Sequence, residues 1–124
     1  MINHTMYVLA VADLNATATF FSDVLGFKVH DLGDPGWRMF VRDSCRLMAG
    51  HCPDAMPATE LGDHSYFAYW VVEDVDTFYQ EVVNKGAELV KPLRSEPWGM
   101  REFGLRTPDG HRIMIGQDLS ESAS

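Results

Sequence analysis

The feature that most constrains this chain is that it reads twice. Val11-Ala12-Asp13-Leu14 returns as Val72-Glu73-Asp74-Val75, each after an apolar, strand-like run and before a helical stretch with adjacent aromatics, Phe20-Phe21 or Phe78-Tyr79. Leu25-Gly26 closes the first helical stretch as Lys85-Gly86 closes the second, and Gly36-Trp37 has a counterpart in Trp98-Gly99. A repeat of this kind means that each copy is one supersecondary unit that buries its apolar face with help from its neighbour. The order of the signals predicts an α+β domain: two tandem βαβββ modules forming a cupped mixed sheet, with helices on the outer face.

Periodicity assigns the faces. Leu14, Ala18, Phe21 and Leu25 recur at helical spacing, as do Val75, Phe78, Tyr79 and Val82, so each helix has one buried stripe. A glycine after each last turn suits the left-handed backbone that ends a helix. Period-two alternation puts Tyr7, Leu9 and Val11 toward the helices and His4, Met6, Val8 and Ala10 toward the cup. In 66–72 it separates Phe67, Tyr69 and Val71 from Tyr66, Ala68, Trp70 and Val72, and the second set is assigned to the cup. Ile113 and Ile115 make an apolar face, leaving Arg112, Met114 and Gly116 for the cup.

The chain has 124 residues, 46% of them hydrophobic, which suffices for one core and is short for two domains. A proline-rich stretch from Cys52 to Asp63 breaks every period, so the expected domain is 1–118, with modules at about 1–58 and 59–118 and a frayed polar tail at 119–124. Eighteen acidic against ten basic residues give a net charge of −8, which repels nucleic acid. No stretch approaches the ~20 apolar residues of a membrane span, and no leader is evident, so a cytoplasmic protein is expected. Cys45 and Cys52 are expected to be reduced.

The pattern Val-x-Asp-Leu, then Phe20-Phe21 and Leu25-Gly26-Phe27, with Pro97-Trp98-Gly99-Met100-Arg101-Glu102-Phe103 and Thr107-Pro108-Asp109-Gly110 in the second half, resembles the vicinal oxygen chelate superfamily of glyoxalases, bleomycin-resistance proteins and dioxygenases. The resemblance covers about residues 4–117. It implies four metal-ligand places, which fall at Met6, Met48, Ala68 and Met114. Thioethers and a methyl group are poor donors for hard or borderline divalent ions, so no metal or other cofactor is expected. Methionine's adaptable side chain suits either an apolar cup floor or an ordinary core.

Gly36-Trp37-Arg38-Met39 and the Pro-Trp-Gly run look most like the antibiotic-sequestering members. That similarity implies a homodimer whose clefts bind a bulky, aromatic or cationic antibiotic without chemistry. The expected ligand-binding residues are Trp37, Met39, Met48, Tyr66, Trp70, Trp98, Glu102 and Met114, with rings stacking on the ligand. The alternative is a glyoxalase-like or dioxygenase-like enzyme with a displaced metal on His4, His64 and Glu102. Glu102 is expected to face the cup and pair with Arg106 or Arg112, or orient a cationic ligand group, while His51 and His111 are read as surface or loop residues.

Overall fold

Each half of the chain builds a four-stranded sheet backed by one helix. The computed structural model describes residues 1–62 and 65–122. The first module comprises β1 (Tyr7–Val11), α1 (Leu14–Asp23), β2 (Lys28–Asp31), β3 (Trp37–Arg42) and β4 (Cys45–His51). After a 3-10 turn at Ala58–Glu60, the second comprises β5 (Tyr66–Val71), α2 (Val75–Asn84), β6 (Glu88–Ser95), β7 (Met100–Arg106) and β8 (Arg112–Asp118). The sheet orders are β1-β4-β3-β2 and β5-β8-β7-β6, with β1 parallel to β4 and β5 parallel to β8. The expected α+β fold of two tandem βαβββ units is therefore present, as two sheets of four strands. The segment expected to fray begins with a helical turn, α3 (Leu119–Ser122), tied by the Leu119 N–H to the Gly99 carbonyl.

The repeated Asp explains why both helices start where they do. The Asp13 carboxylate accepts the Ala16 N–H at 2.9 Å, and the Asp74 carboxylate accepts the Thr77 N–H at 3.1 Å, which satisfies a donor that the first turn leaves orphaned. Hydrogen bonding from Thr77 holds the Asp74 carboxyl below its ordinary range. Gly26 and Gly86 follow the helices at φ 73° and 91°, where a Cβ would be strained.

The helices pack on the faces of the sheets turned away from the open, cup-forming ones, and the buried residues join into one core. Leu14, Phe21 and Leu25 meet Phe40 and Leu47, with Phe21 stacked on Phe40 at 4.7 Å. Val75 and Val82 join Phe103, Leu105, Ile113 and Ile115 in the second module. Each such side chain contributes about 1.5–3 kcal/mol of burial. Phe27 against Trp70, with ring centroids 5.4 Å apart, carries the core from one module to the other. The turn between β7 and β8 then clasps β1. The Asp109 carboxylate accepts the Ala12 N–H at 2.9 Å, and His111 Nε2 donates to the Ala10 carbonyl at 3.1 Å, so His111, read as a surface or loop residue, is a loop residue that ties this turn to β1.

Strand parity holds in β1, where Leu9 and Val11 are buried and Val8 and Ala10 are exposed, and in β8, where Ile113 and Ile115 are buried. It fails in β5. Tyr66 pairs with Arg112 but Ala68 pairs with Ile113, so Phe67 is an extra residue opposite no partner of its own. This bulge keeps Tyr66 on the open face and reverses everything after it. Ala68 is in the core, Trp70 packs against Phe27, and Tyr69 and Val71 take the open face. The assignment of Ala68, Trp70 and Val72 to the cup is thus corrected, because one inserted residue shifts a period of two by half.

Candidate functional site

The open face of the second sheet forms a concave cleft of about 680 Å³, within the range of small-molecule sites. Three rows cross this face of the sheet. Tyr66, Arg112, Arg106 and Glu88 form one; Tyr69, Met114, Gly104 and Lys91 the next; Val71, Gly116, Glu102 and Arg94 the third. Two tyrosine rings lie close over strand glycines. A Cβ on Gly116 would collide with the Tyr69 hydroxyl, and one on Gly104 would stand 3.1 Å from the Tyr66 hydroxyl. Interior glycines in β7 and β8 are therefore what let the rings approach the backbone.

Glu102 sits at the centre of this face and is 3% exposed. Phe103 and Leu105 point into the core, which turns Glu102 to the cup as expected from alternation. Its partners are not the arginines. Oε2 accepts Lys91 Nζ at 2.5 Å, and Oε1 accepts the Tyr69 hydroxyl at 2.9 Å and Trp98 Nε1 at 3.2 Å. Burial pushes the Glu102 carboxyl up, but the hydrogen bonds from Lys91, Tyr69 and Trp98 and the Lys91 charge outweigh it, leaving the pKa below its ordinary value. Burial, and then the carboxylate itself, hold the Tyr69 hydroxyl well above the usual tyrosine range. Lys91 also lies over the Trp98 ring at 5.4 Å and pairs with Glu96 at 4.0 Å, while Glu96 accepts from Arg94. Arg106 instead pairs with Glu88, and Arg112 donates to the Gly62 carbonyl. On the opposite face Arg101 is held by Asp76 of α2.

Of the sequence-selected residues, the second-module cleft brings together Tyr66, Trp98, Glu102 and Met114. Trp70 is behind the sheet. Trp37, Met39 and Met48 share the open face of the first sheet, where Met39 stands opposite Met48 and Met48 opposite Val8. There the Trp37 ring lies on Gly50, whose Cβ would stand 2.7 Å from the indole. Sequence reasoning missed Tyr69 and Lys91. The readable signal for Tyr69 was glycine inside two apolar strands, which marks a close approach by something bulky.

The metal question turns on donors. Met6, Met48 and Met114 offer thioethers, and Ala68, the fourth place implied by the resemblance, is in the core. This set does not fit a hard or borderline divalent ion. Of the displaced set, His4 is exposed ahead of β1, His64 lies outside the described residues, and Glu102 already accepts three hydrogen bonds. Among the described residues no three His, Cys, Asp or Glu side chains form a metal-holding group. Both cysteines are free thiols, and burial pushes Cys45 up to about 11. Among the described residues no helix is long and apolar enough to cross a membrane.

Known proteins resemble this chain in sequence and in fold. An uncharacterized protein of Mycobacterium tuberculosis (strain ATCC 25618 / H37Rv) is 31% identical over 86 residues, 69% of this chain and 49% of that one. The chain thus spans about half the length of the mycobacterial relatives it matches. The glutathione transferase FosA of Serratia marcescens is 25% identical over 115 residues, covering 92% of this chain and 78% of its own. The copper(II)-bleomycin complex of the bleomycin-binding protein from Streptomyces verticillus superposes with a TM-score of 0.71 at 25% identity, covering 93% of this chain and 95% of that one. The family profile described as Glyoxalase/Bleomycin resistance protein/Dioxygenase superfamily matches residues 1–115, in keeping with the repeated module and the cupped sheets: the chain belongs to that superfamily.

Proposed function

We propose that this protein is a non-catalytic binder that sequesters a bulky aromatic small molecule of the antibiotic kind, as a homodimer. One observation carries the reading. The buried carboxylate at the centre of the cup is already neutralised by Lys91 and saturated by Tyr69 and Trp98, so the cup offers shape and stacking surface in place of an available acid or base. Tyr66, Trp98 and Met114 provide apolar contact area around it. The bleomycin-binding relative supports the ligand class. The open first-module face, where Val8 is 61% exposed beside Met48 and Met39, supports pairing with a second copy.

Titrating the protein with bleomycin and a panel of bulky aromatic antibiotics, while following tryptophan fluorescence, tests this. Saturable binding of a panel member without turnover of the ligand is expected, with sedimentation giving a dimer. Absence of binding below high micromolar concentration overturns the reading. The enzymes named in the superfamily's description, with the similarity to a glutathione transferase, favour a second one, an enzyme of the glyoxalase or dioxygenase kind with a metal on His4, His64 and Glu102. Stoichiometric metal in protein purified without chelators, lost in His4→Ala, would replace the first reading with the second.

A further inference from the structure

The row at one end of the second cup places Arg106 directly opposite Arg112 across β7 and β8. Like charges in that position repel. Arg112 is anchored by donating to the Gly62 carbonyl at 2.6 Å. Arg106 is held less well. Its Nη1 reaches Glu88 at 3.6 Å, and that glutamate is a 65% exposed side chain, a combination that stabilises little. Its Nε is buried without a hydrogen-bond partner among the described residues. A buried guanidinium donor left unmatched is costly, and the group's planar fork is shaped for an oxyacid.

The rest of the lining points the same way. In a chain of net charge −8, this cleft gathers four cationic side chains against three carboxylates. Two of those carboxylates, Glu102 and Glu96, are already engaged by Lys91 and Arg94. A cationic ligand would thus find no acceptor at the centre of the cup, whereas an anion finds the Arg106 fork at its end. Beside that fork stand Tyr66, in the same row, and Met114 in the next, which suit an apolar or aromatic body.

We infer that the ligand of this cup is an organic acid, an aromatic or apolar body bearing a carboxylate or phosphate that docks on the Arg106 guanidinium. The inference rests on the cup being a binding site and adds the ligand's charge and orientation to that reading. The acid oxygens meet the accessible Nη donors of Arg106, and a turn of its side chain brings the buried Nε–H round to complete a forked pair, while the body lies along Tyr66 and Met114 toward Trp98.

A series sharing one ring system tests it: 2-naphthoate, 2-naphthyl phosphate, 2-naphthol and 2-naphthylmethylamine, titrated into the full chain and followed by protein NMR, including the arginine Nε–H signals. At least one of the two acids is expected to bind about tenfold or more tighter than the alcohol and the amine, and to shift the Arg106 Nε–H resonance. Arg106→Gln should lose about tenfold in acid affinity with naphthol affinity unchanged, and Arg106→Lys should fall between, since it keeps the charge without the fork. Both variants are checked for an unchanged melting profile, and the unmodified chain carries the comparison among the four ligands whatever the variants do. Tighter binding by the alcohol or amine, equal binding by all four, or wild-type acid affinity in Arg106→Gln overturns the inference and leaves the cup standing. Failure of all four, together with the antibiotic panel, to bind removes the cup reading itself.

Discussion

The two modules share a backbone, and their open faces can be compared row by row. Across the first sheet run Val8, Met48, Met39 and His30; the equivalent row of the second is Tyr69, Met114, Gly104 and Lys91. In the next row Ala10, Gly50 and Trp37 match Val71, Gly116 and Glu102. Both halves thus keep a glycine at the same place in the last strand and lay a ring over it. In the first module the ring is Trp37, from the neighbouring central strand, whereas in the second it is Tyr69, from the edge strand, which leaves the position equivalent to Trp37 to a carboxylate. The repeat therefore preserves the inward faces, where packing allows little change, and lets the outward faces diverge into an apolar surface and a polar network.

The sharpest way to break that contrast is to remove the cation from the polar face. Lys91→Met leaves Glu102 buried without its counter-charge and should destabilise the protein by about 3–5 kcal/mol in denaturant unfolding. Acid reaches the same pair from the other side. Because the folded pKa of Glu102 lies below its ordinary value of 4.5, its contribution is complete above that pH and is lost as pH falls through the lowered value. Stability should therefore drop in that acid window, and Glu102→Gln should flatten the drop. Tyr69→Phe deletes one charge-assisted hydrogen bond and should cost about 1.5–3 kcal/mol, measured the same way.

Turning to the apolar face, Gly50→Ala drives a methyl into the Trp37 indole and should cost about 1–3 kcal/mol, with a shift in tryptophan emission as the ring lifts. The smallest effect should come from Met48→Leu, which conserves volume on a surface without hydrogen bonds and should change stability by less than about 1.5 kcal/mol. If Met48→Leu cost as much as Lys91→Met, the distinction between the two faces would collapse.

Much of this was legible beforehand because it depends on local chemistry. The N-caps at Asp13 and Asp74, the glycine stops and the buried stripes of both helices follow from rules that act over three or four residues. The inward faces of β1 and β8 and the cup orientation of Glu102 follow from alternation. Trp70 and Ala68 were misplaced because the bulge at Phe67 depends on the register between β5 and β8, which are distant in sequence. Lys91 went unseen for a similar reason: nothing near it in the chain indicates that β6 will lie beside β7 and bring its amine to Glu102.

By itself, then, the amino-acid order determined the repeated module and the two buried helix faces, since residue identity and short-range periodicity are enough for each, and through the family resemblance it showed no hard donor at any of the four implied metal places. Only the tertiary structure decided which ring covers which glycine, that Glu102 answers to Lys91 rather than to an arginine, and that Arg106 keeps a buried donor without a partner. Those are pairings across strands, and a one-residue slip in register reverses every side chain beyond it.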